Sequence, residues 1–271
     1  MQKNIENYRE FRVLSMMRSG HHAIISWIMK QQEGPSLFVN NVFEKSKVEF
    51  EKFSVYNEEE EDVIWNGGLS NLRSAYIFNM EDAPIERSDD LIGRNKKMIF
   101  NGNSKNIFSV VILRDPFNLF ASRIKKYRKL LDSEHDSGKT IASYIGNVGW
   151  ADNDSANMWI NYADAYLGDR QLDNKTIYIL YNKWVLDLEY RKKVSEVVGD
   201  RFNDSGINIT SKFGDGSSFD DFSYKKSAQE MDVFNRWMEF RNDKEYLNLF
   251  RYNKRMAKLS KEIFDICPLD L

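Results

Sequence analysis

The sequence predicts an α/β chain, a three-layer sandwich with helices on both faces of a mainly parallel sheet. Three observations carry this. Strand-like and helix-like patterns alternate from residue 11 to residue 198. Phe108 to Leu113 is nearly continuous in apolar residues, as in a strand covered on both faces. Residues 13–24, Val-Leu-Ser-Met-Met-Arg-Ser-Gly-His-His-Ala-Ile, lead an apolar strand through a tight turn straight into a helix.

The elements follow in order. Phe11 to Met16 is a short strand, and Gly20 to Gln31 a helix apolar on most faces, hence buried. Gly34-Pro35 ends it. Leu37 to Val42 is a second strand. Residues 44–62 are charged, and Glu58 to Asp62 reads as a solvated loop or helix face. Ala75 to Met80 is a strand with Glu81 and Asp82 at its carboxyl end. After the strand Phe108 to Leu113, Asp115-Pro116 opens a helix, Asp as N-cap and Pro at the first helical position. A polar stretch, 132–139, follows it. Ala156 to Leu167 is helical, Thr176 to Tyr181 a buried strand, and Trp184 to Val198 a helix. Residues 203–221 read as a loop. Two helices close the chain, and in the last Leu249, Tyr252, Met256, Leu259, Ile263 and Ile266 form one apolar stripe. We expect this stripe to pack on the sheet; a homodimer seam is the alternative.

The bulk composition narrows the function classes. The chain has 271 residues, 42 % hydrophobic and 30 % charged, enough for one domain with an ample core. We read residues 1–271 as one domain, with a core over about 11–220 and C-terminal helices over about 226–266. With a net charge of −2 nothing in the total argues for a nucleic-acid partner, and none is expected. The single cysteine, Cys267, excludes an intramolecular disulfide and fits a reducing compartment. No apolar run approaches the roughly 18–20 residues of a membrane span. The polar N-terminus carries no secretory signal, so a cytoplasmic location is expected.

The turn at Arg18-Ser19-Gly20 suits an anion. Backbone N–H groups at a helix start have no partner within the helix, and the helix dipole favours negative charge there. Gly20 permits close approach and Arg18 adds a fixed positive charge. The loop lacks the Gly-Lys-Ser/Thr ending of a nucleotide triphosphatase, so no hydroxyl follows to hold magnesium. Ligands of parallel sheets bind beyond the carboxyl ends of the strands. The Arg18 turn, Glu81 and Arg114 all fall at such ends.

The second informative segment runs from Val110 to Arg123, with Arg114 leaving the strand and Ser122 eight residues later on the helix. Together the two segments resemble the sulfotransferases that use 3′-phosphoadenosine 5′-phosphosulfate (PAPS). The resemblance spans roughly residues 11–220 and implies a P-loop NTPase-like fold with a helical C-terminal extension. It implies that Arg18, Ser19, Gly20, His21 and His22 surround the 5′-phosphosulfate, with Arg18 stabilising the leaving phosphate. It implies that Arg114 and Ser122 bind the 3′-phosphate. The family's late basic loop would fall on Lys212, Gly214, Gly216 and Ser217. The family usually carries Thr or Ser where this chain has His21 and His22, and it carries an acidic pair where this chain has Asn182 and Lys183.

The implied reaction moves a sulfuryl group to a hydroxyl or amine of a small molecule or carbohydrate and releases adenosine 3′,5′-bisphosphate. For the general base, Glu81 ranks first, Glu44 second and His22 third. Two further readings stand beside it: a small-molecule kinase using ATP, and a non-catalytic nucleotide-binding module. Plainer roles exist for single residues. Arg114 fits an ion pair with Asp115 or another carboxylate, Glu81 and Asp82 fit solvated strand ends, and Lys125, Lys126, Arg128 and Lys129 form a basic helix face, either solvated or able to meet an anionic acceptor. Trp65, Tyr76, Trp150 and Trp159 are candidate acceptor-pocket residues. Adjacent His21 and His22 lack the i, i+4 spacing of a helical zinc pair. With three His and one Cys, no metal centre is expected.

Overall fold

The computed structural model describes residues 6–42, 55–59, 61, 72–87, 102–134, 155–169, 175–208, 210–212, 219 and 228–268. A six-stranded sheet has the order β3-β2-β4-β1-β5-β6. Its strands are β1 (Glu6–Ser15), β2 (Ser36–Val39), β3 (Val55–Asn57), β4 (Leu72–Glu81), β5 (Asn103–Leu113) and β6 (Thr176–Leu180). All neighbours pair in parallel except β2 and β3. The α-helices are α1 (His21–Lys30), α2 (Pro116–Glu134), α3 (Ser155–Leu167), α4 (Tyr181–Leu186), α5 (Leu188–Val198), α6 (Lys244–Tyr252) and α7 (Lys254–Phe264).

Alternate residues of each strand face opposite sides, so the sheet carries two cores. On one side Phe11, Val13, Ile77, Val110 and Ile112 pack with Ile24, Trp27 and Ile28 of α1 and Val194 and Val198 of α5. On the other, Leu14, Tyr76, Phe78 and Val111 pack with Phe117 and Phe120 of α2, Trp159 and Tyr162 of α3, Phe250 of α6 and Met256 of α7. This is the expected three-layer α/β sandwich. Continuous apolar runs in the central strands follow directly from burial on both faces.

Several elements differ from expectation. The strand β3 lies inside the charged segment 44–62, in which the sequence predicts no strand, because a three-residue antiparallel edge strand is too short to show a period. The last stripe is split. Asn253 separates α6 from α7, and Tyr252 is 82 % exposed while Met256, Leu259 and Ile263 are buried. The buried part packs against α2, α3 and α6 within the core on that face of the sheet, and Arg255 of α7 meets Asp164 of α3 at 2.8 Å. Residue 181 begins a helix instead of ending a strand. Among the described residues no helix is long and apolar enough to cross a membrane.

The topology puts the candidate residues together. The central strand β1 lies between β4 and β5, with Ser15 in register with Glu81 on one side and Ile112 on the other. The Arg18 turn, Glu81 and Arg114 therefore leave three adjacent strands at one edge.

Candidate functional site

The turn after β1 is held by its own backbone and by its neighbours. The Ser19 N–H donates to the Met16 carbonyl at 3.1 Å. Arg18 and Gly20 have φ of 74° and 83°. A Cβ at residue 20 would overlap the ring of Tyr181, so glycine is needed for both its φ and its profile. Asp82, just beyond β4, accepts from the Met17 N–H at 3.0 Å and pairs with the fully buried Arg123 of α2 at 2.7 Å. Arg123 also donates to the Met17 carbonyl. These bonds clamp the turn between β4 and α2. The α1 N-terminus has no side-chain cap and no acidic residue in its first turn, which leaves it suited to an anion.

Arg114 reaches back over this turn. Its Nη1 donates to the Arg18 carbonyl at 3.0 Å and its Nη2 to the Val233 carbonyl. Its guanidinium lies 4.9 Å from the Tyr181 ring centroid, and its buried Nε has no hydrogen-bond partner. The expected alternative, an ion pair with Asp115, is not what forms. The Asp115 carboxylate instead accepts from the Asn118 backbone N–H at 2.9 Å, capping α2, and from the Asn182 side chain at 2.9 Å. On the next turns of α2, the Ser122 hydroxyl accepts from Arg236 Nη1 at 2.9 Å.

Arg236 opens a 3₁₀ turn, Arg236–Phe240, is 6 % exposed, and lies 4.8 Å from the Phe219 ring centroid. Sequence reasoning missed it. It stands in a stretch read only as C-terminal helix, and no local spacing marks it. The segment 233–236 thus links Arg114 to Ser122. Several cations crowd this edge. Burial depresses the Arg18 pKa, Glu81 opposes that shift, and Arg123 and Arg114 add to it. A bound anion would relieve that repulsion.

The third group is His21, His22 and Glu81. His21 Nε2 lies 2.8 Å from Glu81 Oε1. His22 Nε2 meets Asn40 Oδ1 at 3.2 Å, and the two imidazole centroids are 4.1 Å apart. Burial alone would raise the Glu81 pKa, but the charge of His21 and its hydrogen bond to the carboxylate, with smaller contributions from His22 and Lys126, bring it down to about 2. Burial, and then His21, lower the His22 pKa to about 3. Near pH 7 Glu81 is ionised and His22 neutral, and each is a weak proton acceptor.

The remaining expectations divide. Lys212 is drawn away, since its Nζ donates to the Glu59 carbonyl at 3.1 Å. Glu59 follows β3, which runs antiparallel, so this contact lies beyond the amino ends of the parallel strands, opposite Arg114. Gly214, Gly216, Ser217, Glu44, Trp65 and Trp150 lie outside the described residues. Tyr76 and Trp159 are fully buried in the core and do not line an open pocket. On the basic face of α2, Lys125 pairs with Glu239 and Arg128 with Asp243 and Glu245. Lys126 instead turns to the loop, 3.4 Å from Met17 Sδ.

No protein-family model and no curated protein matches this chain. Among solved structures it is similar to mouse sulfotransferase SULT7A1 complexed with PAP, at 13 % identity and a TM-score of 0.44, covering 94 % of this chain and 86 % of that one.

Proposed function

We propose that this chain is a sulfotransferase that moves a sulfuryl group from PAPS to a hydroxyl or amine of a small-molecule or carbohydrate acceptor, releasing adenosine 3′,5′-bisphosphate. One observation carries the reading. Two separate anion-binding sets, the Arg18 turn with the α1 N-terminus and Arg114 with Ser122 and Arg236, are joined by the bond from Arg114 to the Arg18 carbonyl. A donor with charge at both ends of one nucleoside needs such a pair.

In this reading the α1 amides and Ser19, Gly20, His21 and His22 hold the 5′-phosphosulfate. Arg114, Ser122 and Arg236 hold the 3′-phosphate, with Arg114 Nε available to it. The acceptor oxygen attacks sulfur and gives its proton to Glu81, which passes it to solvent, while the bond from sulfur to the 5′-phosphate oxygen breaks. Negative charge then grows on that oxygen, where Arg18 stabilises it. Losing one preorganised donor of this kind typically costs about 10²–10³ in rate. Glu81, paired with His21 at the start of α1, is an acidic group beside the turn, ionised but weakly basic. A single cysteine, the exposed Cys267, suits a reducing, cytoplasmic setting.

Thermal stabilisation tests the reading. Adenosine 3′,5′-bisphosphate should raise the melting temperature more than ADP or Mg–ATP does. A ligand at 100 times its Kd adds about 2.7 kcal/mol. Stabilisation by Mg–ATP without response to the bisphosphate would favour a kinase and overturn the proposal. Tight bisphosphate binding with no turnover over a panel of acceptors would favour a non-catalytic module.

A further inference from the structure

We infer that His21, His22 and Glu81 form a binding site for a divalent transition-metal cation, zinc in the first instance, beside the Arg18 turn. The sequence did not suggest this, because the two histidines are adjacent and the third ligand comes from the end of another strand. In the fold, one ligand atom from each of the three residues lies within 4.8 Å of the others. Imidazole, imidazole and carboxylate make a donor set that zinc and its first-row neighbours accept.

The orientation of the groups supports a shared ligand. His21 is 4 % exposed, and its Nε2 lies 2.8 Å from Glu81 Oε1, where the two groups form an ion pair and hydrogen bond. A cation bound between them would take the place of that pair. Two ligands on zinc, each at about 2.1 Å, sit about 3.4 Å apart, so this pair needs to open by roughly half an ångström.

The outer contacts fit as well. Asn40 Oδ1 meets His22 Nε2 at 3.2 Å, the kind of outer partner that orients a metal-bound histidine. Ser19 Oγ lies 3.4 Å from His21 Nδ1 on the far side of that ring from Glu81. Metal-bound histidines characteristically have such a partner on the other nitrogen.

Three protein ligands leave a position open for an oxygen ligand. What fills it rests on the sulfuryl-transfer reading: the acceptor hydroxyl, whose proton the cation would make more acidic. The site itself does not depend on that reading.

The test uses Co²⁺ as a visible probe, added without nucleotide to the chelator-treated full chain. One Co²⁺ per chain, with d–d absorption bands that Zn²⁺ abolishes, is the expected result. Glu81→Gln, His21→Asn and His22→Asn should each weaken Co²⁺ binding more than the 10–100-fold typical of an outer-shell loss. Circular dichroism checks that each variant is folded, and the wild-type titration decides the question if any is not. Cys267→Ser should leave the bands unchanged. The inference is overturned if wild type gives no bands and no metal-dependent melting shift, which would make His21 and Glu81 an ion pair only. It is equally overturned if folded Glu81→Gln binds Co²⁺ like wild type, or if Cys267→Ser abolishes the bands. Failure of the bisphosphate to bind leaves the Co²⁺ result standing, so the two ideas fail separately.

Discussion

Arg114 donates from Nη1 to the carbonyl oxygen of Arg18 at 3.0 Å, so the residue assigned to one phosphate also fixes the turn assigned to the other. Arg114→Ala should therefore weaken both adenosine 3′,5′-bisphosphate and adenosine 5′-phosphate. The bisphosphate should lose about tenfold to a hundredfold more, the range of a charge-assisted hydrogen bond. Calorimetric titration of both nucleotides checks this, and equal losses would refute the 3′-phosphate role.

Arg236 and Ser122 should act as one unit. Arg236→Ala should cost at least tenfold in bisphosphate affinity and leave adenosine 5′-phosphate nearly unchanged. Ser122→Ala should cost less, because a neutral hydroxyl contributes about 0.5–1.5 kcal/mol. In a double-mutant cycle the two losses should fall short of additive, since the groups meet at 2.9 Å. Additive losses would separate them.

Gly20→Ala places a Cβ against the Tyr181 ring at a φ of 83°. A non-glycine residue there costs roughly 1–2 kcal/mol before the overlap is counted. Urea denaturation should show destabilisation beyond that. Adding Tyr181→Ala should recover the overlap and leave the conformational cost.

Asp82→Ala would leave Arg123 buried without its carboxylate. Breaking a buried pair in this way costs about 3–5 kcal/mol. The loss should appear in chemical denaturation without any ligand, and nucleotide binding should fall with it, because Asp82 also holds the Met17 N–H. A change below 1 kcal/mol would show that the clamp is not needed.

Asp243 caps α6 through the Tyr246 N–H and pairs with Arg128. Burial raises its pKa, but the Tyr246 N–H and Arg128 together outweigh it and hold the group below its usual 3.8. A carboxyl lowered in the folded state adds stability above pH 3.8 that is lost as pH falls through the lowered value. Asp243→Ala should cost about 1 kcal/mol at pH 7, with the gap to wild type closing in strong acid. A gap that stays constant with pH would remove the titration argument.

Much of the fold was legible because its signals are local. The apolar run from Phe108 to Leu113 reports burial on both faces, and Asp115-Pro116 announces a helix start; both hold in the structure. The edge strand β3 was not legible, since three residues cannot show a period against a charged background. The break at Asn253 was hidden by an apolar stripe that continues in sequence across two helices.

By itself the sequence determined the layers of the sheet, the Arg18 turn before α1 and the departure of Arg114 from a strand end. Each depends on side-chain burial or backbone preference within about ten residues. Only the tertiary structure decided the partners. It put Arg236 on Ser122 from 114 positions away, turned Lys212 to the opposite edge of the sheet, and brought Glu81 against His21. Those outcomes depend on which strands are neighbours and where the chain returns. A charged or polar side chain takes its role from whatever partner the packing delivers, and its local sequence carries no record of that partner.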